Sequence, residues 1–395
     1  MTARTHAPWY DPPPPLEKGA HVVIIGGGIA GLTTAAALEK QGFPVTVVEE
    51  NNTVMAAASG NPAAILDPFF SAVESPEGRF SRMALDFALS YYQAFEEEIF
   101  IPTGLKKKAL NEKQKLRFEK ITRSGILPKS LMREDQHGHP FFPSLGLILP
   151  KKLSAALCRN IPIILKQKID HMRFEDQWIL YDKTGTEILK ADAVVLTGGH
   201  AARFFQQSAS LPISPLRGQI SYLTAEKPPK NIICGENYLT PPVRTPMGPA
   251  MISGATFEPN SLDCDLRLKD HEQNMQHAQK LWPDMGEPDL IGGRAAIRGV
   301  SPDHMPLCGP LPIATQYEVE YAMLKHGPRH QNFAKAPYYP GLYTICGLGT
   351  RGFLTAPLLA EILTAIIGGK PVPTPRKIQH ALHPARFLIR KLIKT

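Results

Sequence analysis

Residues 21–51 read HVVIIGGGIAGLTTAAALEKQGFPVTVVEEN. An apolar run leads into Gly26-x-Gly28-x-x-Gly31. An alanine-rich helical stretch follows, then a turn at Gly42-Phe43-Pro44 and a second apolar strand ending in Glu49. Strand, glycines, helix, strand and acid in this order make the βαβ unit that holds a dinucleotide. Gly26 permits the tight turn, Gly28 lets backbone approach a pyrophosphate, and Gly31 lets the helix pack closely on the sheet. Ile29 and Ala30 open the helix, whose N-terminal N–H groups and positive dipole end suit phosphate. Glu49 is placed to accept the hydroxyls of an adenosine ribose; Glu50 alternates to the opposite face of the strand. The motif alone does not separate FAD from NAD.

Working outward, residues 56–68 (AAASGNPAAILDP) place small residues and Asn next to that unit, with Ser59, Gly60 and Asn61 as candidates for backbone held close to a ligand. Residues 191–200 (ADAVVLTGGH) form a second buried strand ending in Gly198-Gly199, a second backbone turn against the same ligand. Residues 80–99 and 105–123 carry helical spacing. Residues 213–224, 238–243 and 249–257 alternate as strands between Pro and Gly turns and predict an antiparallel sheet. Residues 266–282 read as a helix, and 294–306 as a strand returning to the first domain. Residues 341–361 give strand, glycine loop (Gly347, Gly349, Thr350, Arg351, Gly352) and helix. The start of that helix suits the polar edge of a ring that becomes anionic when reduced.

The chain has 395 residues, long for one core. The expected organisation is a Pro-rich leader at 1–19 and a discontinuous dinucleotide domain from 20–95, 150–208 and 290–370. A substrate domain at 96–149 and 209–289 and a basic tail at 371–395 complete it. No apolar run of about 18 residues predicts a membrane span. The 5 cysteines are scattered without a CxxC pair, which fits a reducing cytoplasm better than disulfides or a metal site. The net charge is +8. One basic cluster comprises Lys106, Lys107, Lys108, Lys113, Lys115, Arg117, Lys120 and Arg123. Another comprises Arg376, Lys377, Arg386, Arg390, Lys391 and Lys394. Two such clusters are candidates to flank a groove for a polyanion.

The N-terminal glycine motif with the C-terminal Gly347-Leu-Gly-Thr-Arg-Gly352 loop resembles the D-amino-acid oxidase and glycine oxidase group of flavoproteins. Ala58-Ser-Gly-Asn61 with Leu66-x-Pro68, Tyr238-Leu-Thr-Pro241, Arg298 followed by Asp303-His304-x-Pro306, and His383-Pro-x-Arg386 narrow it. Together they resemble the FAD-dependent half of the MnmC family of bacterial tRNA-modification proteins, from about residue 20 to the end. The resemblance implies an α/β fold: a Rossmann-like FAD-binding domain of the glycine/D-amino-acid oxidase type, with a second α+β substrate domain on an antiparallel sheet. It implies non-covalent FAD, since neither Cys308 nor Cys346 matches a flavin attachment position. It implies tRNA as partner, at the wobble uridine of the anticodon, with any methylation left to a separate methyltransferase. The leader, with Pro8-Trp9-Tyr10, looks like the remnant of a joint to that other half. One departure stands out: Ala63-Ala64 replace the Gln-Gly common in the family.

The implied reaction removes the carboxymethyl group of 5-carboxymethylaminomethyl-(2-thio)uridine and leaves 5-aminomethyl-(2-thio)uridine. A carboxylate calls for a forked donor, and Arg298 is the first candidate, with Tyr238 second. Arg351 lies beside the flavin loop as a third catalytic candidate. Arg217, in Arg217-Gly-Gln219, is a candidate neighbour of the flavin, and His304 an acid–base candidate against a structural role. No metal is expected. Two other readings share the flavin motifs: an FAD oxidase of a small free amino acid or secondary amine, which gives the basic clusters no role, and a tRNA-binding flavoprotein without turnover.

Overall fold

The computed structural model describes residues 7–95, 98–327 and 333–394; residues 1–6 of the leader and Thr395 of the tail lie outside them. Strand β1 (Val22–Ile25), helix α1 (Ile29–Lys40) and strand β2 (Val45–Val48) form the expected βαβ unit. β1 pairs in parallel with β2 on one side and with Ala193–Leu196 on the other, Val22 facing both Val45 and Ala193. The sheet has six strands, continuing through Ile163–Ile164 at one edge and through Tyr338–Cys346 and the antiparallel Leu307–Pro312 at the other.

Alternation divides the side chains of this sheet. Val22, Ile24, Val45 and Val47 face one way, into a core shared with α1 and the helix Gly352–Ile367. Val23, Val48, Val194 and Leu196 face the other way, against Met172, Trp178 and Leu180 of a three-stranded antiparallel sheet. Both faces are covered, as a parallel sheet requires.

The helix Gly352–Ile367 is apolar all round, with 13 of its 16 residues buried. At that length it is a core helix, too short for a bilayer; no helix among the described residues is long and apolar enough to cross a membrane. Pro357 sits inside it and removes the N–H that would bond to the carbonyl four residues back. That carbonyl, on Phe353, instead accepts from the buried Tyr92 hydroxyl of α2 (Pro76–Gln93) at 2.7 Å.

The second large sheet has ten strands. Its spine is Ser214–Thr224, antiparallel to Gly248–Gly254 on one side and to Asp289–Val300 on the other. It is not wholly antiparallel as the sequence suggests: Leu105–Lys107 runs parallel to Ile232–Cys234. Residues 294–306 were expected to return to the first domain. In the structure Asp289–Val300 pairs along the full length of Ser214–Thr224, and the chain enters the six-stranded sheet only at Leu307. Residues 105–123 divide too. Leu105–Lys107 is a strand, and α3 (Glu112–Ser124) starts where the Asn111 side chain accepts the Gln114 N–H, ending at Gly125 in the left-handed region.

The leader lies against the tail. Trp9 is buried with Tyr317, Tyr321, Ala385 and Ile389. Tyr338 donates its hydroxyl to the Asp11 carbonyl at 3.0 Å.

Candidate active site

A cavity of about 1250 Å³ runs between the two sheets. That exceeds the roughly 300–1,000 Å³ usual for a drug-sized ligand, leaving room for a dinucleotide and a second molecule. At one end Gly26, Gly28, Ile29 and Ala30 line it, with Glu49 and Gly198. Gly26 adopts a φ of 110°, and a Cβ there would meet the backbone of Gly198 at 3.0 Å. Gly31 does not line the cavity; its missing Cβ would lie 1.9 Å from the Gly26 carbonyl, so it sets how close α1 comes to β1.

Glu49 is buried and oriented. One carboxylate oxygen accepts the Gly27 N–H at 2.7 Å and the other the Asn51 N–H at 2.9 Å. Glu50 is exposed, 3.8 Å from Lys168. Ser59 Oγ accepts the Ile29 N–H at 3.0 Å, at the positive end of α1. Asn61 lines the cavity, whereas Gly60 lies behind it, where a Cβ would meet the Met55 carbonyl at 2.5 Å.

Gly349, Thr350, Arg351 and Gly352 also line the cavity, with Gly352 beside Ile29 of α1. Gly347 does not; with a φ of 70° it turns the chain beneath, over Ile213. Arg351 donates to the Asp67 carbonyl at 3.3 Å, and its guanidinium lies 5.7 Å from the Phe69 ring centre.

Arg298 and Tyr238 lie close to each other. Both line the cavity, and Arg298 lies 5.5 Å from the Phe257 ring centre. Arg298 Nη1 is buried and has no hydrogen-bond partner among the described residues. Gly218, on the facing strand, makes the space for it: a Cβ there would lie 1.9 Å from Nη1. Burial lowers the Arg298 pKa; Tyr238 opposes that and Arg294 adds to it. Burial also pushes the Tyr238 hydroxyl up to about 12, against the pull of Arg298, so at neutral pH it stays protonated and can donate.

Arg294 was not singled out in the sequence. It lines the cavity and donates to Asn61 Oδ1 at 3.0 Å, to the Ala56 carbonyl at 2.5 Å and to the Ala57 carbonyl. It therefore holds the Ser59–Asn61 turn in place. Its signal was spacing alone: four residues from Arg298 on one strand puts both on one face.

Other expectations are corrected. Arg217 lies away from the cavity, fully buried, bound to Asp270 at 2.5 Å, to Gln219 at 3.0 Å and to the Asp263 and Asp265 carbonyls. It ties the loop before Leu268–Leu281 to the sheet. His304 is exposed, with a φ of 58°, and does not line the cavity. Its motif neighbour Asp303 holds the buried Arg386 through two hydrogen bonds, at 3.0 and 2.6 Å, and also binds Arg390. Asp303 and His383-Pro-x-Arg386 are thus two halves of one ion pair. Arg386 and Arg390 are not a free basic surface. Neither are Lys106, paired with Asp135 at 2.7 Å, Lys107, paired with Asp67 inside the cavity, or Lys108, which donates to the Leu281 carbonyl at 2.8 Å.

Residues 21–366 match the family model described as DAO, FAD dependent oxidoreductase. The chain belongs to this family. The FAD dependent oxidoreductase is similar over 422 residues, at 31% identity, to the tRNA 5-methylaminomethyl-2-thiouridine biosynthesis bifunctional protein MnmC of Pseudomonas aeruginosa, covering 99% of this chain and 63% of the relative. The MnmC of Magnetococcus marinus is 32% identical, with 98% and 62% covered. The chain thus spans a little under two thirds of these relatives. Among solved structures, glycine oxidase from Geobacillus kaustophilus superposes with a TM-score of 0.74 at 19% identity, covering 93% of this chain and 99% of that one. Iminodiacetate oxidase from Chelativorans sp. BNC1 gives 0.69 at 18%, with 90% and 97% covered. The chain has the glycine/D-amino-acid oxidase fold and is an FAD-dependent oxidoreductase. The residues present fit FAD: glycine backbone lining the cavity at Gly26 and Gly28 where α1 begins, an oriented acid at the end of β2, and a second glycine loop, Gly349 to Gly352, lining the same cavity.

Proposed function

We propose that this oxidoreductase acts on the wobble uridine of tRNA, converting 5-carboxymethylaminomethyl-(2-thio)uridine to the 5-aminomethyl form. The observation that carries this reading is the Arg298 guanidinium in the cavity wall, which has no ion-pair partner among the described residues, with the Tyr238 hydroxyl nearby. Its Nη1 packs over Gly218 without a partner, and a forked donor lining a cavity without an internal acid suits a carboxylate. The similarity to MnmC proteins, whose name gives tRNA 5-methylaminomethyl-2-thiouridine biosynthesis, supports an amine on the uridine 5-methyl group; the carboxymethyl group on that amine is part of the proposal.

On this reading Glu49 and the α1 N-terminus hold the adenosine and pyrophosphate of FAD, with Ser59 and Asn61 beside them. Gly349, Thr350, Arg351 and Gly352 hold the flavin edge. Bound FAD supplies a two-electron acceptor. Arg298 and Tyr238 fix the substrate carboxylate and so orient its CH₂ group. A hydride leaves that CH₂ and the amine gives up its proton, which leaves a C=N bond. Water adds to it and the C–N bond breaks, releasing glyoxylate and the aminomethyl nucleoside. The neutral amine is the reactive form, so the step needs no strong base.

Arg298 would serve an N-carboxymethyl amine of any size, which keeps a small free secondary amine as the second reading. Mass spectrometry of nucleosides from tRNA carrying the carboxymethylaminomethyl group, before and after treatment, separates the two. Loss of that nucleoside with appearance of the aminomethyl form supports the first. Turnover of sarcosine or glycine with tRNA left unchanged would sink it.

A further inference from the structure

Lys106, Lys107, Lys108 and Arg386 are engaged inside the protein, and the exposed Arg390 is paired with Asp303; in the tail Arg376, Lys377 and Lys394 stay exposed, but of the two basic clusters it is the first that reaches the cavity. Helix α3 carries five cations against two acids. Gln114, Arg117, Phe118 and Ile121, at one helical spacing, line the cavity. Arg117 is exposed as well as lining, so α3 stands at the cavity's rim. Lys113, four residues before Arg117, and Lys120, three after it, continue from this face to the solvent side with Arg123, all exposed. Neither Lys113 nor Lys120 has an ion-pair partner among the described residues. Arg123 is 3.5 Å from Glu119 and 81% exposed, a pair that solvent screens.

The inner face is tied to the cofactor loop. Arg117 donates to the Phe70 carbonyl at 3.0 Å and lies 5.3 Å from the Phe69 ring centre, the same ring that Arg351 faces. Whatever binds the outside of α3 is therefore registered against the Phe69 and Arg351 side of the cavity. The cavity has room for one nucleoside beside the dinucleotide, so the rest of a polynucleotide stays outside, at this rim. Glu236, at the rim 3.3 Å from Gln114, disfavours phosphate on the inner side.

We propose that Lys113, Lys120 and Arg123 form the docking row for RNA phosphates, which brings the flanked nucleotide to the cavity. They span about 15 Å of helix axis at 1.5 Å per residue, the reach of several phosphates of one strand. This rests on the RNA reading of the substrate. The test is the triple variant Lys113→Gln, Lys120→Gln, Arg123→Gln, in which glutamine keeps helix propensity and volume while removing charge. The flavin spectrum and thermal midpoint verify the fold. Turnover is then measured on the modified tRNA and on the corresponding free nucleoside. The expected result is a KM for tRNA raised about tenfold and a log–log salt slope of binding smaller by about 2, at about 0.7 per phosphate contact, with free-nucleoside turnover unchanged. Equal tRNA kinetics in variant and wild type would overturn the docking row and leave the RNA reading standing. A parallel loss on both substrates would mark a structural role and overturn it too. Wild-type protein that leaves tRNA untouched would overturn the RNA reading itself.

Discussion

Replacing Arg298 by Met should separate activity from stability in opposite directions. Arg298 Nη1 is buried without a partner, so the folded protein carries an unsatisfied donor there. Such a group costs about 1–3 kcal/mol. The contact with the Phe257 ring offsets roughly 0.5–1 kcal/mol of this. Methionine replaces the aliphatic stem and carries no N–H, though it ends two bonds short of the guanidinium tips, so stability should stay level or rise by up to about 2 kcal/mol. Activity moves the other way. Loss of a charge-assisted bond to the substrate carboxylate removes about 1.5–3 kcal/mol, a ten- to hundredfold fall in kcat/KM. The assays are flavin reduction by an N-carboxymethyl amine in a stopped-flow instrument and thermal unfolding followed by flavin release. An N-methyl amine without the carboxylate serves as control, and its already low rate should not change. A fall in Tm together with unchanged kcat/KM would refute the reasoning, because it would show that Arg298 spends its charge on the fold.

Gly218→Ala should reproduce part of that loss without touching the arginine: its Cβ would lie 1.9 Å from Arg298 Nη1, so the guanidinium must swing aside and KM for the carboxylate substrate should rise at least about tenfold. Since the far end of a flexible side chain gives way, Tm should move little; a normal KM would show that the guanidinium has another position to bind from. Tyr92→Phe should lower stability by about 1–3 kcal/mol, measured by urea unfolding, because the Phe353 carbonyl that Pro357 leaves open loses its donor; an unchanged midpoint would show that another donor reaches it. Burial pushes the His383 pKa down to about 3, with His380 and Arg386 adding to it, so the folded protein keeps this ring neutral. The unfolded chain takes up a proton below about 6.5, so stability falls as pH drops from about 6.5 towards 3, by about 2 kcal/mol at pH 5. His383→Gln should flatten that slope in unfolding measured across pH, and an equally steep profile would assign it to other groups.

The parts legible in the sequence are local. Strand, glycines and helix in residues 21–51 are consecutive, and each glycine's role depends on backbone a few residues away, as the Gly31–Gly26 approach shows. The loop before Gly352–Ile367 has the same character. What composition hid was partnership over long distances. Lys107 meets Asp67 and Arg386 meets Asp303, pairs separated by 40 and 83 residues, and nothing in either short segment announces the other. A cluster of cations in sequence therefore looked like a surface when part of it was internal. Residues 294–306 were read as a strand of the first domain for the same reason: the partner of Asp289–Val300, Ser214–Thr224, lies beyond five intervening strands and a helix. The basic helix kept its character because α3 satisfies its own backbone and leaves its outer cations in water.

Arg294 and Arg298 show how little residue type decides by itself. They share a strand, a face and a charge, and both line the cavity. Burial lowers the pKa of each, so desolvation does not tell them apart. Their partners do. Arg294 reaches one side-chain oxygen and two carbonyls of the turn at Ala56 to Asn61, and with those bonds made it has a structural task. Arg298, four residues on, lines the cavity with its Nη1 packed over Gly218 and unmatched. A protein that needed only a filler there has cheaper choices than a desolvated guanidinium. Charge retained at that position without an internal partner argues for a partner that arrives with the substrate. The Gly218 opposite is part of the same inference, since any side chain on it would close the space in which the two meet.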